Sequence, residues 1–189
     1  MVDVSLLQSL SYVAAAIGVC AAAVYYVMIL RATERNRKIQ LSTSITQRLG
    51  TKEFQRDYIE LSALDWRDPD DFRKRYDHRV NHESFAQRWS VWGTYDNLGY
   101  LLREGLVDRD IMFNSLGFGS VMIWGRYKPV IDDIRRRELG PRWLENFEYL
   151  AGQMWQIGKT RGYTSLGFED GLIFDRYRDV FEPKSTPPP

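Results

Sequence analysis

The chain has 189 residues, 44% of them hydrophobic, with 26 Lys and Arg against 25 Asp and Glu, which suits one modest domain with its own core and excludes a long multidomain enzyme. A net charge of +1 argues against a dedicated nucleic-acid binder, which carries a basic excess or a basic stripe. One cysteine and two histidines exclude an internal disulfide and a thiol-based zinc cage.

Charge is placed unevenly along the chain. Asp3 is the only charged side chain before Arg31, so Val4 to Leu30 forms an uncharged run. About twenty apolar residues suffice to cross a hydrocarbon core as a helix, and a lone span must be helical because lipid offers its backbone no partners. Tyr12 at one end and Tyr25 with Tyr26 at the other suit the two membrane interfaces. A cleaved signal peptide is the competing reading, because Ala21, Ala22 and Ala23 supply small residues. Against it, no positive residue precedes the run, which is longer than a signal core and continues through Val24 to Leu30. Val19 is also too large for the position before a lipidated Cys20.

Residues 1–30 are therefore expected to be a transmembrane anchor in the cell membrane. Arg31, Arg35, Arg37 and Lys38 crowd one flank, which by the positive-inside rule places the N-terminus outside and the remainder in the cytoplasm. The same four residues are the expected contacts to lipid headgroups, since a basic residue beside an anionic leaflet gains about 1 kcal/mol.

Residues 31–50 continue the helix as an amphipathic stalk, with Leu41, Ile45 and Leu49 recurring every fourth position before Gly50. A helical bundle is expected over 51–158. Its first helix begins at the cap Thr51 and carries Phe54, Tyr58 and Leu61 on one face. Asp68, Pro69, Asp70 and Asp71 start the next, with a capping side chain, proline at the first position and acids at the positive dipole end. That helix either breaks at Asn81, itself a good cap, or runs on into His82 to Glu104. There Phe85, Trp89 and Trp92 share a face beside a stripe of Val91, Tyr95, Leu98 and Leu102. Asp108 caps a short helix, Gly117 and Gly119 close it, and a further helix runs from about Ser120 to Leu139. Gly140 and Pro141 mark a stop and restart before Trp143, Phe147, Leu150, Met154 and Ile157. No convincing strand is present, so the fold expected is all-α. Residues 159–189, ending in PKSTPPP, read as a loosely packed segment and disordered tail.

His78 and His82 stand four apart, so on one continuous helix they would share a face that a metal could bridge. No third ligand clearly joins them, and a cap at Asn81 would remove the geometry. Asp96 follows Trp92 by four on the aromatic stripe, where a half-buried carboxylate either serves a site or pairs with an arginine or an indole N–H. Gly99 on that stripe allows a close helix approach. The string GFGS at Gly117 to Ser120 lacks a preceding strand and a Gly-Lys-Ser/Thr, so it reads as a helix-to-helix turn. There is no GxSxG elbow and no HExxH. No catalytic residue and no cofactor is assigned; His78, His82 and Asp96 remain the ligand or metal candidates.

The segments YDNLGYLLREGLVD, VMIWGRYKPVIDDIRRREL and GPRWLENFEYLA, between Tyr95 and Ala151, resemble a family of small prokaryotic membrane-anchored helical proteins classified as a domain of unknown function. The resemblance covers about a third of the chain and implies an all-helical cytoplasmic domain tethered by one helix. It implies no activity, catalytic residue or cofactor. The chain as a whole has six Trp, 11 Tyr and nine Phe, and the protein is expected to meet membrane lipid and a protein partner or second copy, but no nucleic acid, its cytoplasmic bundle serving as an interaction or accessory module of a membrane-associated assembly. The alternatives are a membrane-bound enzyme or metal or ligand sensor with a helical cleft, and a sensor of anionic lipid surfaces.

Overall fold

Helix starts and stops follow the local chemistry of the sequence. The structure, a computed structural model, describes residues 4–163 and 173–182, with side chains over 12–163 and 176–182. The described residues form eight α-helices and no strand. They are α1 (Val4–Leu49), α2 (Lys52–Ala63), α3 (Pro69–Tyr76), α4 (His82–Arg103), α5 (Arg109–Leu116), α6 (Gly119–Ile134), α7 (Glu145–Thr160) and α8 (Ile173–Phe181). The architecture is a long apolar N-terminal helix followed by a helical bundle.

Two compact units divide the chain, Met1–Leu41 and Ser42–Pro189. The border lies inside the expected stalk at 31–50, because Ile45 and Leu49 are buried in the second unit. In the first unit, α1 is long and apolar enough to cross a membrane, and its most apolar stretch buries nothing.

In the second unit four caps do what their residue types require. Thr51 accepts from the Phe54 amide at 3.3 Å, Asp68 from Asp71 at 2.8 Å, Asn81 from Ser84 at 2.9 Å and Asp108 from Asp110 at 2.8 Å. Gly117 ends α5 at φ 53°, a conformation that disfavours residues with a Cβ.

The core centres on Trp124, Tyr127, Phe147 and Trp155, all within 2% of full burial. Tyr127 donates its hydroxyl proton to the Leu61 carbonyl at 2.6 Å, so the phenol enters the core with its polar end satisfied. Helices α4 and α7 share the largest helix–helix interface. Gly99 lies where α7 passes, and a Cβ built there would fall 1.9 Å from the Asn146 carbonyl oxygen.

Two segments differ from expectation. The helix expected to reach Leu139 ends its α-helical course at Ile134 and continues as a π-helical turn over Arg135–Leu139, closed by Gly140 N–H on Arg135 O at 3.1 Å. Arg135 explains the change: its side chain donates to Trp143 O at 2.7 Å and Glu148 Oε2 at 2.8 Å, tying the turn to α7. The next helix accordingly begins at Glu145 and not at Pro141. The segment 159–189, expected to be loose, contains α8. Tyr177 of α8 covers Gly125, where a Cβ would fall 2.4 Å from the ring. Phe181 stacks on Trp155 at 4.8 Å, and the following Glu182 accepts from the Trp155 indole at 3.0 Å. The PKSTPPP end lies outside the described residues.

Gly99 and Gly93 occupy the same helix with opposite surroundings, since a Cβ at Gly93 meets nothing within 4 Å. Gly99→Ala is expected to destabilise the protein by about 1–3 kcal/mol through overpacking. Gly93→Ala should be neutral or stabilise by about 0.5–1 kcal/mol, because glycine is a poor helix-interior residue. Thermal or denaturant unfolding of the two variants checks the pair.

Candidate functional site

A cleft of about 290 Å³ opens within the second unit, between α3, α4, α6 and the π-helical turn. Its wall combines aromatic side chains, Phe72 from α3, Phe85, Trp89 and Trp92 from α4, and Trp143 from the loop before α7, with the charged Arg73, Asp77, Arg88, Asp133 and Glu138. Spacings of three and four residues bring Phe85, Arg88, Trp89 and Trp92 to one side of α4, as α-helical geometry requires.

Arg88 is the unusual member of this wall. It is 6% exposed, although arginine is almost never fully buried without a charged partner. Its guanidinium carbon lies 4.8 Å from the Phe72 ring centre, 5.7 Å from Phe85 and 5.9 Å from Trp92, in cation–π range. Nη1 is buried without a hydrogen-bond partner, and so is the Nε1 of neighbouring Trp92. Burial pushes the Arg88 pKa down to about 10, against smaller opposing influences from Tyr127 and Asp77. The group nevertheless stays protonated at neutral pH, as a cation held in an aromatic box.

The acids on the same wall are better satisfied. Asp133 accepts from Arg137 Nε at 2.8 Å and lies 3.5 Å from Arg136 and 3.9 Å from Arg73. The bond from Arg137, with the other arginine charges, holds its carboxyl below the usual range despite burial. Asp77 accepts from the Arg79 amide at 2.9 Å and sits 3.2 Å from His78 Nδ1.

The sequence candidates separate in space. Asn81 caps α4, so His78 lies on the preceding turn and His82 begins the helix, exposed to solvent. The two imidazoles therefore do not share one continuous helix face. His78 lines the cleft, with its ring 5.6 Å from Phe85; His82 does not line it. Among the described residues no group of three His, Cys, Asp or Glu side chains could hold a metal.

Asp96 is part of a helix joint. Its Oδ1 accepts from the backbone N–H of Asn146 at 3.1 Å and of Phe147 at 3.0 Å, and its Oδ2 from the Asn146 side chain at 3.5 Å. Those amides open α7, whose own capping position is Leu144, at φ 58° and with no side-chain cap. A carboxylate from α4 thus supplies from a distance the acceptor that α7 lacks locally. The partner is neither an arginine nor an indole. Arg31, Arg35, Arg37 and Lys38 all lie on α1, in the first unit, and are exposed.

Sequence reasoning passed over Arg88. Its one signal is an arginine three residues after Phe85 and four before Trp92, a spacing that aligns a cation with two rings.

Fold and cleft together define an all-helical domain with a long apolar N-terminal helix and an aromatic-walled cleft holding a buried arginine. The chain belongs to the family described as Domain of unknown function (DUF4760), which matches residues 12–155. No curated protein matches it, and no solved structure does.

Asp96→Ala is expected to cost about 1–2 kcal/mol, the usual loss for a helix cap, while Asp96→Asn, which keeps an acceptor oxygen, costs less. Denaturant unfolding at neutral pH measures both. Because the Asp133 pKa is lowered in the folded state, its contribution is present above the ordinary value of 3.8 and is lost as pH falls through the lower folded value. The melting temperature of Asp133→Asn should therefore fall less steeply on acidification than that of the unaltered protein.

Proposed function

We propose that the chain is a single-pass membrane protein, anchored by α1 with its N-terminus outside and its helical domain in the cytoplasm. The domain acts as an interaction or accessory module within a membrane-associated assembly. The observation that carries this reading is the complete exposure of the apolar stretch of α1. Val13, Ile17, Val24, Tyr25 and Met28 are each more than half exposed; in water such a surface would be strongly unfavourable, and in hydrocarbon it is the ordinary outside of a spanning helix. Arg31, Arg35, Arg37 and Lys38 follow immediately and favour the cytoplasmic side.

Exposed aromatic surface supports the accessory role. Trp89 is 60% exposed and stacks on Phe85 at 5.9 Å, and Tyr100 is half exposed on the same helix. Rigid aromatic side chains of this kind are favoured at protein interfaces.

Full-length protein should resist alkaline carbonate extraction from membranes, and its bundle should be cut by protease only after the cells are permeabilised. A mature soluble form lacking the first two dozen residues, or cleavage in intact cells, would refute the anchor or its orientation. Purification from native membranes in mild detergent should retain a stoichiometric companion; a lone monomer at native abundance would refute the accessory role.

A further inference from the structure

We propose that the aromatic cleft is filled by a segment of the same chain, the proline-rich residues 183–189, bound as polyproline II. This goes beyond the anchored-module reading and does not depend on it. Trp89 is 60% exposed and stacks on Phe85, and Trp143 joins both in the lining. Aromatic-lined grooves are a recurrent receptor for proline-rich segments, which pack their rings on the aromatic faces and lose little entropy because they are extended before binding. Residues 183–189 read PKSTPPP. Pro187, Pro188 and Pro189 each fix φ and lack an N–H, which disfavours a helix or a ladder strand and leaves polyproline II as the preferred form.

Charge and length both suit this occupant. Asp77, Asp133 and Glu138 line the cleft against Arg73 and Arg88. Asp133 is held by Arg137 at 2.8 Å, Arg73 is paired with Asp70, and Arg88 is buried. The remaining acids are Glu138, which is exposed, and Asp77, which is half-buried. They favour a cation over an anion, and Lys184 is the one charged side chain within 183–189. The described residues end at Glu182, whose carboxylate accepts from Trp155 Nε1 at 3.0 Å. Along α7, Trp155 stands ten residues from Glu145, about 15 Å, and Trp143 of the cleft precedes Glu145 by two. The seven residues 183–189 span about 22 Å as polyproline II, long enough to carry Pro187, Pro188 and Pro189 from Trp155 to Trp143.

A competition experiment tests the assignment. Full-length protein in detergent is compared with a full-length variant carrying Pro187→Ala, Pro188→Ala and Pro189→Ala together. Each is titrated with an acetylated synthetic peptide of residues 182–189, and saturable change in tryptophan fluorescence is followed. The triple variant is expected to bind the peptide at least about threefold more tightly than the unaltered protein, because a tethered competitor at millimolar effective concentration has been removed. Trp89→Ala, added to the triple variant at an exposed position, should weaken the peptide at least about threefold through lost ring contact, with the melting temperature unchanged. A peptide carrying Lys184→Glu should bind at least about threefold more weakly at low salt, the gap narrowing as salt is raised.

Equal affinity of the peptide for the unaltered protein and the triple variant would overturn the proposal, since the native segment then does not occupy the cleft. So would affinity unchanged by Trp89→Ala, or a peptide with its last three prolines replaced by alanine that binds as tightly as the original. A Lys184→Glu peptide of undiminished affinity at low salt would overturn it as well. No saturable response of the triple variant up to about 10 mM peptide, weaker than a millimolar tethered competitor could fill, would overturn it too.

Discussion

The approach of α7 to α4 is the constraint on which the bundle depends. Two helices can come this close only where one presents bare backbone, and Gly99 does so against the Asn146 carbonyl. At that crossing α7 begins from a left-handed Leu144 with no cap of its own, so its first amides would be orphaned without Asp96. Steric permission and hydrogen-bond satisfaction are supplied by two residues three apart on α4. The interface they allow buries Tyr95 and Phe147, whose rings lie 5.1 Å apart.

The π-helical turn follows from the same arrangement. Arg135 reaches Trp143 O and Glu148 from the point where α6 passes into the wider π-helical turn. Leu139 and Glu138 of that turn and Trp143 beyond it then line the cleft. Part of the wall around Arg88 is thus a consequence of how α7 begins. The way α7 begins is thereby coupled to the shape of the cleft through backbone geometry.

Arg88 and Asp96 illustrate opposite treatments of a charge inside the domain. Asp96 is engaged by two backbone amides and a side-chain amide, so its charge is met by a helix dipole and hydrogen bonds. Arg88 is met by the ring faces of Phe72 and Phe85 and by the charge of Asp77. Residues of the first kind are complete within the fold.

Much of the architecture was legible because it rests on local rules. The apolar run before Arg31 needed only composition, and the caps at Thr51, Asp68, Asn81 and Asp108 act on amides two or three residues away. The close approach at Gly99 could also be anticipated from its place on the aromatic stripe of α4. Sequence by itself did not decide between one helix and two around Asn81, and thereby whether His78 and His82 faced one another. Only the tertiary structure could assign Asp96 its partners fifty residues away, give 173–181 a helix packed on Gly125 and Trp155, and surround Arg88 with rings from two helices. The physical reason is common to these cases. A cap or a turn is written within one helical turn of chain, whereas burial, and with it the cost of an unpaired charge, belongs to neighbours that meet only when distant segments pack.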